Sequence, residues 1–91
     1  MKRRLDELMN ISQISNAPLP GVPLIEIVDN RRVLIENHSG MIAYEKTKIC
    51  VKVGCGHIEV NGNDLILAKM SCDQLIINGI IRNVILQYNR R

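Results

Sequence analysis

Thr47-Lys48-Ile49-Cys50-Val51-Lys52-Val53 carries the plainest pattern in the chain. Ile49, Val51 and Val53 fall on one side of an extended backbone and Lys48, Cys50 and Lys52 on the other, because successive side chains of a strand point to opposite faces. The stretch therefore reads as a strand with one dry and one wet face. Immediately downstream, Ile58 and Val60 alternate with His57 and Glu59 in the same way.

Outward from this pair, short apolar runs alternate with turn residues every 8 to 12 positions, the spacing of an antiparallel β architecture. Strands are expected at about 24–28, 32–37, 41–45, 47–53, 57–61, 64–70, 74–78 and 80–88. Between them lie Asp29-Asn30, His38-Ser39-Gly40, Gly54-Cys55-Gly56, Asn61-Gly62-Asn63-Asp64 and Ser71-Cys72-Asp73. Asn-Gly is the strongest turn signal, since both residues tolerate the positive φ that tight hairpins require. The fold class is all-β, an antiparallel sandwich of the immunoglobulin-like class with seven or eight short strands. Residues 1–20 differ: Leu5, Leu8 and Met9 sit at helical spacing, and Pro18, Pro20 and Pro23 follow. They are expected to be an amino-terminal segment, at most a short amphipathic helix that would need docking to persist, and a Pro-rich linker, with residues 21–91 as the single β domain.

Composition agrees. Among 91 residues there are 14 Ile, 9 Leu and 7 Val, two Tyr, and no Phe or Trp. β-Branched side chains suit a pleated surface. The net charge of +3 is spread over Lys2-Arg3-Arg4, Arg31-Arg32 and Arg90-Arg91. A nucleic-acid groove would gather those charges on one face, and a single-strand platform would need aromatic rings to stack on. Neither is present, so no nucleic-acid partner is expected, only weak attraction to anionic lipid. No signal-peptide stretch and no run of 18 apolar residues occurs, which places the chain in the cytosol. Three Cys fit reduced thiols there.

Chemistry-bearing residues are few. Cys50, Cys55, His57 and Cys72 are a ligand set that zinc accepts, and define the alternative of a small metal-binding or redox-sensitive module. Their spacing matches no common zinc knuckle, and no orienting acid or oxyanion donor makes Cys55 and His57 a hydrolase pair. Gly54-Cys55-Gly56 opens no helix, so it offers no phosphate loop. No catalytic site, cofactor or small-molecule substrate is expected.

The segments 64–70 and 75–86 are apolar on both faces, with Ile66 between Leu65 and Leu67 and Ile76 between Leu75 and Ile77. A small domain cannot cover both, so a homodimer or higher homo-oligomer is expected, with Ile66, Ile76, Ile80 and Ile85 at the interface. Ile58-Glu59-Val60-Asn61-Gly62 and Ile76-Ile77-Asn78-Gly79, about 17 residues apart, look faintly alike. Two hairpins of equal length would account for that.

The run Val33-Leu34-Ile35-Glu36-Asn37-His38-Ser39-Gly40-Met41-Ile42 resembles the hallmark segment of the YabP/YqfC family of sporulation proteins, its YqfC branch most of all. Tyr44, the pattern Gly56-x-Ile58-x-Val60-x-Gly62-x-x-Leu65-x-Leu67 and the close Ile77-x-Gly79-x-Ile81 extend the likeness to most of the chain. The family-motif positions are Ile35, Glu36, Asn37, His38, Gly40, Gly62 and Gly79. The resemblance implies a non-enzymatic β domain made in the mother cell of endospore formers, with a YqfD-type membrane protein as partner and a peripheral place at the forespore membrane. Ile80 departs from it, standing where a polar residue is usual, and so do Cys55 and His57.

Overall fold

The computed structural model describes residues 22–89. The helix expected near the amino terminus, the Pro18–Pro20 part of the linker and the two terminal basic clusters lie outside them. Six strands follow one another: β1 (Leu24–Val28), β2 (Arg32–Glu36), β3 (His38–Glu45), β4 (Lys48–Val53), β5 (Gly56–Met70) and β6 (Gln74–Tyr88). They make a single antiparallel sheet in the order β1-β2-β6-β5-β4-β3.

The connection from β2 to β3 dictates the shape of that sheet. Only Asn37 separates the two strands, yet β6, β5 and β4 stand between them in the sheet. One residue spans at most about 3.5 Å, whereas four strand spacings in a flat sheet amount to roughly 19 Å. The sheet must therefore curl until its two halves face each other. Val33 and Ile35 of β2 with Leu75 and Ile77 of β6 meet Ile49, Val51 and Val53 of β4 and Ile58 and Val60 of β5 in one wholly aliphatic core. Each such side chain contributes about 1.5–3 kcal/mol when fully buried.

Two corrections to the sequence reading follow. Six strands replace the expected seven or eight, because 57–61 runs on into 64–70 and 74–78 into 80–88. One continuous sheet also stands where two stacked sheets were expected. Asn61-Gly62-Asn63-Asp64 is not a hairpin turn but a bulged kink within β5, with register breaks at Asn61/Gly62 and Asn63/Ile66 and Asp64 at φ 52°. Gly79, at φ 145°, faces it on β6.

The two halves are related by a pseudo-twofold axis between β5 and β6. The hairpin β1–β2 pairs with the first half of β6, and β3–β4 with the first half of β5. At one pole Gly79 N–H donates to Arg31 O (3.1 Å) and Ile81 N–H to Asn30 O (2.7 Å). At the other, Gly62 N–H donates to Thr47 O (3.1 Å) and Leu65 N–H to Lys46 O (2.8 Å). Asn61-Gly62 and Asn78-Gly79 are thus equivalent positions, and the faint repeat marks the two kinks rather than two hairpins.

Candidate interaction surface

The hallmark segment closes the curl. Glu36 accepts a hydrogen bond from the Gln74 amide (3.1 Å), and Asn37 N–H donates to Asp73 O (2.7 Å). Asn37 has φ 66°, a conformation this side chain tolerates better than most, and its amide donates to Val22 O (2.9 Å). Buried His38 accepts from Gly40 N–H at Nδ1 (3.0 Å), which leaves the proton on Nε2 to be donated to Ser71 O (2.9 Å). Ser71 in turn bonds Asp73 and Gln74. Glu36, Asn37, His38 and Gly40 therefore form a clasp between the β2–β3 crossing and the β5–β6 turn. Of the other motif positions, Ile35 is core, and Gly62 and Gly79 are the kinks.

A curled sheet that does not close leaves two edges, β1 and β3, each laddered on one side only among the described residues. They are unlike. β3 is interrupted at His38/Gly40 and Met41/Ala43, and such breaks blunt an edge. β1 pairs with β2 without interruption over all five residues. The Val28 carbonyl accepts from Arg31 N–H (3.1 Å) and that of Val22 from Asn37, so the backbone polar groups of even-numbered residues turn inward. With a period of two, those of Ile25 and Ile27 turn outward. Leu24, Ile27 and Val28 are each about half exposed, and Glu26 is the single charge on the strand.

The outer face of the same half is largely aliphatic. Leu34 pairs with Ile76, and Val28, Arg32, Asn78 and Ile66 form one row across β1, β2, β6 and β5. Ile66 is 58% exposed and Ile80 47%, whereas Ile76 and Ile85 are half-buried. Ile85 sits apart, in a row with Glu59, Cys50 and Ala43 on the other half. The four isoleucines expected at an interface are thus not one patch: Ile66, Ile76 and Ile80 share a face and Ile85 does not.

A sequence model of the YabP family, the family that the hallmark segment resembles, matches residues 22–91, more than three-quarters of the chain. The chain belongs to the YabP family. No curated protein and no solved structure matches it. The matched residues 22–91 span the whole of the six-stranded β domain of this YabP-family chain.

The thiols of this YabP-family protein do not converge. Cys50 is buried on the outer side of β4, Cys55 is half-buried at the β4–β5 turn, and Cys72 is exposed at the β5–β6 turn. No group of three His, Cys, Asp or Glu that could hold a metal ion occurs among the described residues, so Cys50, Cys55, His57 and Cys72 are not gathered into one ligand set there. Burial, reinforced by Glu59 and opposed by Lys48, pushes the Cys50 thiol up, which keeps it protonated and a poor nucleophile. The described residues contain no helix long and apolar enough to cross a membrane. Sequence reasoning missed the difference between the edges, because a period of two places side chains on faces but does not say which strand lies outermost.

Proposed function

We propose that this YabP-family chain is a non-enzymatic interaction module of sporulation, of the YqfC branch, working in the mother cell. Through the edge of β1 it adds its sheet to that of a second copy. As a soluble partner of a YqfD-type membrane protein, it is brought to the forespore membrane. The observation that carries the reading is the edge of β1, which no other described strand pairs, unbroken, nearly uncharged and flanked by exposed Leu24, Ile27 and Val28. An edge of this kind is a template for another strand, and natural monomers blunt theirs.

Co-expression with a YqfD-type protein and purification in detergent tests the partnership. The two are expected to elute together at a fixed ratio. A clean separation, with both proteins folded, counts against the partner.

A further inference from the structure

We infer that the cleft between Val28, Arg31, Arg32, Asn78 and Gly79 is a binding site for the phosphate of an anionic lipid headgroup. The site shares only Val28 with the β1 edge and needs no protein partner.

The cleft is open and holds about 400 Å³. Arg32 donates from Nε to Asn78 Oδ1 (3.0 Å), which fixes the plane of its guanidinium, and among the described residues its two terminal nitrogens have no partner. The Arg31 guanidinium has no protein partner at all among the described residues. No acid lines the cleft, and the single ion pair among the described residues, Lys48 with Glu59 (3.8 Å), lies elsewhere. Two planar forks with unsatisfied donors suit the oxygens of a phosphate.

The pseudo-twofold axis supplies an internal control. Lys48 is to Asn61 what Arg32 is to Asn78, since each is the register partner of the other across equivalent strands. At the Lys48 pole the cation is neutralised by Glu59, and Asn61 is held by Glu59 and Asn83. Two residues before Asn78, where Glu59 stands relative to Asn61, the chain has Ile76. Lys48 at one pole is thus ion-paired, while Arg31 and Arg32 at the other have no ion pair among the described residues.

The surroundings select a lipid over a soluble phosphate. Val28 and Ile66 lie in the same cross-strand row as Arg32 and Asn78, and Ile80 follows Asn78 on the same face. All three are about half exposed or more. Aliphatic side chains around a cationic cleft match the boundary between headgroups and acyl chains.

The test uses the full chain. Flotation with phosphatidylcholine vesicles, alone or with phosphatidylglycerol or cardiolipin added, is combined with amide NMR of the protein titrated with inorganic phosphate. Binding is expected only to the anionic vesicles, weakening as salt rises. Arg31→Gln with Arg32→Gln should weaken it about thirtyfold, two basic residues' worth of attraction, while Lys2→Gln, Arg3→Gln and Arg4→Gln together cost less. The amides of Arg32 and Gly79 should shift with phosphate in the wild type and stay still in the double variant, whose unchanged spectrum elsewhere reports an intact fold. Vesicle binding that survives the double variant, or that the amino-terminal triple variant abolishes, would overturn the site. A phosphate response without vesicle binding would overturn the lipid.

Discussion

His38 shows how one side chain can hold two distant parts of a chain together. Its ring receives Gly40 N–H on one nitrogen and gives a proton to Ser71 O from the other. Replacing it by Ala orphans a donor and an acceptor in a partly buried place. We expect His38→Ala to cost about 2–3 kcal/mol, from two buried hydrogen bonds, read as a lowered urea midpoint with an unchanged slope; a cost near zero would refute the clasp. In sequence, Glu36-Asn37-His38-Ser39-Gly40 is legible as a polar turn with positive φ. Its partners are not, since Ser71, Asp73 and Gln74 lie more than 30 residues away and only the curl brings them near.

At the scale of elements, β4 and the first half of β5 were legible because their apolar alternation turns inward: Ile49, Val51, Val53, Ile58 and Val60 are all in the core, though Cys50, expected on the wet face, is buried too. The kinks were not. Asn-Gly and Asp with positive φ serve a hairpin turn and a bulge equally well, so local chemistry alone places a chain reversal where β5 in fact continues. Gly62 and Gly79 lie against the facing strand at these kinks. A Cβ on Gly79 would come within 2.7 Å of Asp64 O, and one on Gly62 would collide with Ile80 O, both of them backbone atoms. Gly79→Ala and Gly62→Ala should each destabilise by roughly 1–3 kcal/mol or more, from backbone strain and clash. Gly40→Ala is the comparison, since a Cβ there meets nothing within 4 Å and only φ +131° opposes it. Thermal melts that rank Gly40→Ala as the most damaging of the three would contradict this account of the kinks.

For the molecule as a whole, β content and an excess of apolar surface were readable from Ile and Val at period two and from Ile66 and Ile80 on otherwise core-forming strands. The single curled sheet was not, because strand order depends on which strands meet, and the pattern within each strand is silent on that. What the sheet leaves open is the edge of β1. Since the N–H of Ile27 points away from β2, proline at this position removes an outward donor and spares the β1–β2 ladder, as edge strands allow. Light scattering on the eluting peak, for the wild type and Ile27→Pro at matched concentrations, therefore tests the central claim most directly. A wild-type dimer and an Ile27→Pro monomer with the same circular dichroism are predicted. A wild type that stays monomeric when concentrated, or an Ile27→Pro variant that still dimerises, would contradict it.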